Sequence, residues 1–301
     1  MANQSIVVLG STNTDMVIKT TKLPQPGETI LGGDFLMNPG GKGANQAVAA
    51  ARLNGNVTLV AKTGEDLFGS HARKLFQAEK LNTDFLFTDP ESPSGIALIT
   101  VDEQAENCIV VAPGANARLL RADVDKAAEA IRNAGITLMQ LEVPLDTVCY
   151  AAEMAFKAGK KVILNPAPAQ PLPDKLLKML YLITPNETEA ELLTGIPVTD
   201  ASSAETAARN LLGKGVQVVV VTLGSKGALL VTAEQCQLIP SFKVKALDTT
   251  AAGDCFNGAL AVAIAEGADL VNAITFANKA ASISVTRMGA QASAPYRDEV
   301  V

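Results

Sequence analysis

The sequence predicts a three-layer α/β/α fold with a mostly parallel central sheet, carrying in addition a small antiparallel β lid. Three observations lead there. Short β-branched apolar runs alternate with stretches whose apolar residues recur at helical spacing. The runs are hydrophobic on nearly every residue, as strands covered on both faces must be. Two regions break the alternation, passing from one strand to the next through a polar turn with no crossover helix between them.

Taken in order, the strand-like runs are Ile6–Leu9, Val57–Ala61, Ile136–Leu141, Val162–Leu164, Tyr181–Ile183 and Val216–Val221. The helical stretches are Gly43–Leu53, Phe68–Ala78, Ala122–Asn133, Leu145–Ala158, Glu187–Leu193 and Ala204–Leu212, with two long helices, Gly253–Glu266 and Leu270–Thr286, closing the chain. The exceptions are Met16–Thr21 with Thr29–Met37, joined across Leu23-Pro-Gln-Pro-Gly27, and Gly95–Asp102 with Asn107–Ala112, joined by Glu103-Gln-Ala-Glu106. Both read as hairpins forming a lid over about 15–38 and 94–112, able to shut over a cleft.

Composition removes several functions. The chain has 301 residues, is 48% hydrophobic and carries a net charge of −6 without a Lys/Arg cluster, which argues against nucleic-acid and anionic-membrane partners. Its length allows one large domain or two smaller ones at roughly 100–200 residues each. No apolar run approaches the ~20 residues that span a bilayer. The polar start, Met1 to Ser5, leads directly into IVVLG, so we expect no secretory signal and a cytoplasmic protein. Four scattered cysteines and a single histidine, His71, make a zinc site, a Ser-His-Asp triad or a Cys-His pair poor explanations. The chemistry must come from carboxylates, amides, lysine, hydroxyls or backbone.

Polar residues follow the apolar strands at five places: Gly10-Ser-Thr-Asn13-Thr-Asp15, Glu142, Asn165, Thr184-Pro-Asn186-Glu-Thr-Glu189 and Thr222-Leu-Gly224-Ser225. In a parallel sheet these carboxyl ends line the ligand crevice. Pro39-Gly-Gly-Lys-Gly-Ala-Asn45 enters a small-residue helix, where glycines allow close approach and Lys42 and Asn45 supply donors for hydroxyl groups. Asp248-Thr-Thr-Ala-Ala-Gly-Asp254 offers a helix start with exposed N–H groups, an anion hole suited to a transferring phosphoryl group. Asp254, in the first turn, can accept a proton from an attacking hydroxyl. Neither GxxxxGK[ST] nor a strand leading into GxGxxG occurs, so a phosphate donor must be held otherwise, for instance by Thr222-Leu-Gly-Ser-Lys-Gly227.

Gly40-Gly-Lys-Gly-Ala-Asn45 and Asp248-Thr-Thr-Ala-Ala-Gly-Asp254 resemble the paired signatures of the ribokinase-like carbohydrate kinases, the PfkB family. Asn186-Glu-Thr-Glu189 and Thr222-Leu-Gly-Ser225 stand between them in the family's order, and the resemblance runs from Val7 to about Tyr296. It implies one kinase domain over 1–301 that transfers the γ-phosphoryl group of ATP to the O5 hydroxyl of D-ribose. It implies Asp254 as base, with an anion hole from the backbone of Ala251, Ala252, Gly253 and Asp254. Asn13, Asp15, Gly41, Lys42, Asn45 and Glu142, together with Asp254, match sugar contacts. Asn186, Thr222, Gly224, Ser225, Gly227, Gly253 and Asn278 match nucleotide contacts. Glu189 matches the residue that organises Mg²⁺ through water. A K⁺ site is implied at Asp248, Thr250, Ser284, Arg287, Gly289 and Ser293, several through backbone oxygens. The lid is implied to pair with a second copy in a homodimer. A 2-deoxyribose or fructose kinase of the same family stays open, as does a non-catalytic sugar- or nucleotide-binding regulator. A nucleoside kinase is disfavoured by an aromatic content of 4% without tryptophan.

Overall fold

The computed structural model describes residues 4–104 and 106–301. The stretch Met1–Asn3 and the turn residue Ala105, on which two expectations touch, lie outside the described residues. The chain opens with β1 (Ile6–Leu9), β2 (Asn13–Lys19), β3 (Phe35–Gly40) and α1 (Lys42–Arg52). Next come β4 (Val57–Gly64), α2 (Leu67–Ala78), β5 (Leu86–Asp89), β6 (Gly95–Val101) and β7 (Asn107–Ala112). The middle holds α3 (Arg121–Lys126), α4 (Ala128–Asn133), β8 (Ile136–Met139), α5 (Leu145–Lys157), β9 (Lys161–Leu164) and α6 (Asp174–Leu177). Then follow β10 (Leu182–Ile183), α7 (Glu187–Thr194), α8 (Ala201–Gly213) and β11 (Val218–Thr222). The hairpin β12 (Ala228–Val231) and β13 (Cys236–Ile239), with α9 (Ala252–Ala265), α10 (Leu270–Ser284) and α11 (Arg297–Val300), completes the chain.

The main sheet has the strand order β13-β12-β11-β10-β9-β8-β1-β4-β5. Strands β11 through β5 are parallel; β12 and β13 add an antiparallel edge. Alternation along each strand divides the core into two. Ile6, Val8, Leu138, Ile163 and Val220 point to the side covered by α1, α2, α9 and α10. Val7, Leu9, Met139, Leu164 and Val221 point to the side covered by α3 through α8. Met139, Met154 and Met179 are core residues, and His71 is exposed.

The second sheet runs β3-β2-β6-β7. Here one expectation is corrected: the lid sheet is mixed, because β2 and β6 pair in parallel while the outer pairs are antiparallel. The reason is topological. β2 leaves the main sheet after β1 and β6 after β5, both at the carboxyl end of a parallel strand, so their directions agree. The strand expected over Thr29–Met37 begins only at Phe35. The register places Met37, Met16, Leu98 and Val110 in one row, and Phe35, Ile18, Thr100 and Cys108 in another, on the same face. Asp15 and Ala97 belong to the opposite face, toward the site. The helix expected over Ala122–Asn133 is also two helices. They meet at Ala127, whose N–H reaches the carbonyls of both Asp123 and Val124. The strands β5, β12 and β13 were not anticipated.

Candidate active site

Asp254 lies in the first turn of α9 and is 6% exposed. Asn45 of α1 donates through Nδ2 to its Oδ2 at 2.9 Å, and Gln46 donates through Nε2 to its Oδ1 at 2.9 Å. The glycine-rich entry to α1 and the small-residue entry to α9 are therefore two walls of one site. Gly258 lets the two helices meet, since a Cβ there would come within 2.6 Å of Gln46 O. Part of the donor capacity expected of Asn45 for hydroxyl groups is thus engaged by Asp254. Its Oδ1, buried and without a protein partner among the described residues, remains as an acceptor.

Five charged residues feel one another here. Burial pushes the Asp15 carboxyl up to about 6, with Glu142 and Asp254 adding to the effect and Lys42 opposing it. Burial likewise raises Asp254, against the pull of Lys42 and of the Gln46 and Asn45 amides. Burial works against the charge of Lys42, but Asp254, Glu142, Glu189 and Asp15 outweigh it and hold the ammonium above its ordinary value. Burial raises Glu189 as well. The site is a desolvated carboxylate cluster around one cation.

Glu142 has a structural task. Gly41, at φ +87°, provides no side-chain cap for α1. Glu142 Oε2 accepts instead from Lys42 N at 3.0 Å and from Ser11 Oγ at 2.6 Å, and Ser11 Oγ accepts from Gly43 N at 3.3 Å. Both bonds fall on Oε2, leaving Oε1 for another partner. Asn13 is held by Asn116, whose Nδ2 donates to Asn13 Oδ1 at 2.7 Å and whose Oδ1 accepts from Thr12 N at 2.9 Å.

A cavity of about 610 Å³ opens beside this cluster, and Asn186, Thr222, Gly224, Ser225, Gly227, Gly253 and Asn278 all line it. Every residue expected to contact nucleotide therefore faces one space. Asn186 and Thr222 pair across the carboxyl ends of β10 and β11. Asn186 also closes a capping box, accepting from Glu189 N at 2.8 Å while Glu189 Oε2 accepts from Asn186 N at 2.9 Å. Asn278 is pinned by donating to Ile239 O at 3.1 Å and Pro240 O at 3.2 Å. The sequence reading missed the wall formed by Ser241, Phe242, Lys243 and Val244, an irregular stretch with no motif to betray it, and Phe256.

Helices α2, α7, α8 and α10 start on a side chain that caps them; α9 has no such cap. It starts at Ala251 in the left-handed conformation, φ +58°, which costs an L-residue about 1–2 kcal/mol. Ala252 N is turned back onto Thr249 O at 3.2 Å. That bond engages one of the four amides expected in the anion hole; those of Gly253 and Asp254 make no such turn. A Cβ on Gly253 would meet nothing within 4 Å, so this helix start faces open space in the cavity. An uncapped, electropositive helix end is suited to an anion.

The loop before α9 approaches the end of α10. Asp248 accepts from Thr250 N through Oδ1 and from Gly289 N through Oδ2, both at 2.9 Å; burial raises its carboxyl, but a bond from the Thr250 side chain and these two together hold it below the ordinary value. The Ser284 hydroxyl donates to Ala281 O at 2.9 Å and the Ser293 hydroxyl to Ala290 O at 2.8 Å. The Arg287 guanidinium is drawn off by Glu299, leaving its backbone oxygen as the contribution it could make. This is a set of hard oxygen donors. No group of three or more His, Cys, Asp or Glu side chains able to hold a metal occurs among the described residues. Cys255, beside Asp254, is buried and its thiol pushed up to about 12 by that burial, a packing residue and not a redox group.

A model of the pfkB family carbohydrate kinases matches residues 3–297. Over 298 residues the chain is 45% identical to ribokinase of Haemophilus influenzae, covering 99% of this chain and 97% of that protein. It is 40% identical over 295 residues to deoxyribokinase of Salmonella typhi, covering 96% and 95%. Among solved structures, Arabidopsis thaliana ribokinase complexed with ribose and ATP superposes with a TM-score of 0.93 at 34% identity, covering 99% of this chain and 97% of that one.

Proposed function

The chain belongs to the pfkB family of carbohydrate kinases, and from that premise we propose that it transfers the γ-phosphoryl group of ATP to the O5 hydroxyl of D-ribose. One observation carries the reading: the cavity lined by all the expected nucleotide residues reaches the open start of α9, and the aspartate of that same helix turn stands among the sugar-side residues. The donor and the acceptor groups thus meet at one point. Phosphoryl transfer requires alignment and charge stabilisation more than covalent chemistry.

Asp15, Asn13, Lys42, Asn45, Gly41 and Glu142 bind the sugar's hydroxyls. Asp254 takes the proton of the attacking hydroxyl at a carboxylate oxygen. The Gly253 and Asp254 amides, backed by the helix dipole, receive the charge that develops on the migrating group. Asn186, Thr222, Gly224, Ser225, Gly227 and Asn278 hold the nucleotide. Glu189, whose Oε1 is left free by its capping bond, would hold Mg²⁺ through water, and the ion would supply neutralising charge for the substrate's phosphates. The oxygens of Asp248, Thr250, Ser284, Arg287, Gly289 and Ser293 suit K⁺, which would fix the loop leading into α9. The lid sheet excludes water from the reacting groups. Its outer face carries exposed Phe35, Met37, Leu98 and Val110, an apolar surface that a second copy would cover in a homodimer. We place the enzyme in the cytoplasm.

The second reading is 2-deoxyribose as substrate, favoured by the Salmonella relative's name. An ADP-release assay on ribose, 2-deoxyribose, fructose and adenosine, each with K⁺ and with tetramethylammonium in its place, decides. Ribose turned over at least tenfold more efficiently than the others, and faster with K⁺, is the expected result. A preference for 2-deoxyribose overturns the substrate, and ADP release with none of them overturns the activity.

A further inference from the structure

Gln46 is fully buried and belongs to no role assigned above. Its side-chain amide makes three bonds. Nε2 donates to Asp254 Oδ1 at 2.9 Å and to Asn165 Oδ1 at 3.0 Å, and Oε1 accepts from Gln140 Nε2. The chain of bonds fixes which end of the amide faces the aspartate. Asn165 donates through Nδ2 to Thr184 O, so its Oδ1 is the acceptor turned toward Gln46. Gln140 presents a donor to Gln46 Oε1. Gln140 Oε1 has no partner among the described residues, so it is the anchored Asn165, with the carboxylate itself, that directs the nitrogen of Gln46 at Asp254.

The geometry points to Gln46 as a positioning residue for the catalytic base: it holds the Asp254 carboxylate in one rotamer and in its ionised, proton-accepting form. The inference rests on Asp254 being that base. Packing does not require an amide here. A fully buried amide is retained where its bonds are satisfied, and one of the three that Gln46 makes reaches the carboxylate that must be ionised to work. Burial favours the neutral acid at Asp254, and a hydrogen bond to an anion counters it more strongly than one to a neutral group. Asn45 anchors the other oxygen. The remaining groups that Asp254 feels are Lys42 from α1, which favours its charge, and Asp15 from β2, Glu142 after β8 and Glu189 from α7, which oppose it. The neighbouring Cys255 stays neutral across the working range. Lys42 is the sole cation of the set, and the Gln46 and Asn45 amides add to its pull toward the ionised base.

The test compares kcat against pH for the wild type, Gln46→Leu, Gln46→Glu and Asp254→Asn, with thermal melts to establish folding. Gln46→Leu removes the donor. We expect kcat to fall about tenfold to a hundredfold, the acid limb of the kcat profile to move upward by at least half a pH unit, and both KM values to stay within threefold. Gln46→Glu keeps the size of the side chain and so tests the same point if the leucine variant does not fold. Its second carboxyl should also drive the acid limb upward. An unmoved acid limb in the folded variants, or a change confined to KM, overturns the role. Wild-type kcat in Asp254→Asn overturns the assignment of the base itself, which separates the two failures.

Discussion

Gly40 faces the Asp15 carboxylate so closely that a methyl group at position 40 would lie 2.2 Å from Oδ2 and 2.3 Å from Oδ1. The two residues sit on paired strands of the lid sheet, where no real contact is that short. Asp15 keeps its place only because its neighbour has no side chain. Gly40→Ala therefore displaces the carboxylate while leaving Asp254 and the nucleotide cavity untouched. Steady-state kinetics should show KM for the sugar raised tenfold or more and KM for ATP within threefold of wild type. A rise in the ATP value alone would remove Asp15 from the sugar side.

Asp254→Asn keeps the shape of the base and removes its basicity. A general base contributes about 10²–10⁴-fold, so kcat should fall by at least a hundredfold. Calorimetry should still detect both sugar and nucleotide. Loss of sugar binding with normal residual turnover would mean that the residue is only a contact.

Burial of the Asp15 carboxyl should make the protein less stable at neutral pH. Burial pushes this carboxyl up to about 6 in the fold from 3.8 ordinarily, so between these values the native chain should hold a proton that the unfolded chain has released. By linkage the group's penalty is absent below the lower value, grows as pH rises and is complete above the upper one. Asp15→Asn should thus melt several degrees higher than wild type at pH 7.5, on the order of 2–3 kcal/mol, and at the same temperature near pH 4. The wild-type kcat/KM for sugar should fall as pH drops through about 6, because hydroxyl donors need the ionised form. Equal melting temperatures at pH 7.5 would contradict the buried-carboxylate account.

The outer face of the lid gives an independent prediction. Leu98 is 50% exposed and Val110 62%, side by side in register with Met16 and Met37. A charge in that row, as in Leu98→Asp, should convert a dimer to a monomer in light scattering. A wild type that is already monomeric at micromolar concentration would exclude this surface as the contact.

Much of this was legible beforehand because the signals are local. A buried parallel strand shows as an apolar run, and a glycine that must admit a neighbour shows as a glycine. Gly41 and Gly253 were visible in that way, and so were the carboxyl-end positions that line the cavity proposed for nucleotide. What escaped depends on tertiary partners. The parallel pairing of β2 with β6 follows from where two distant strands leave the main sheet. Glu142 was legible as a candidate sugar contact, but not as the residue whose Oε2 also closes the start of α1 across 100 positions. Gln46, Asn165 and Gln140 were separate amides on a page of sequence. Only the fold joins them into one line of bonds, and β12 and β13 were hidden because an edge hairpin needs no motif.

The bond from Asn45 to Asp254 joins residues 209 positions apart. During synthesis the ribosome delivers α1 early and α9 almost last, after every strand of the main sheet. The proposed base and the open helix end thus leave the ribosome well after Asp15, Lys42 and Asn45. With Asp254 as the proposed base, an unfinished chain has no group to take the sugar's proton until that late segment docks.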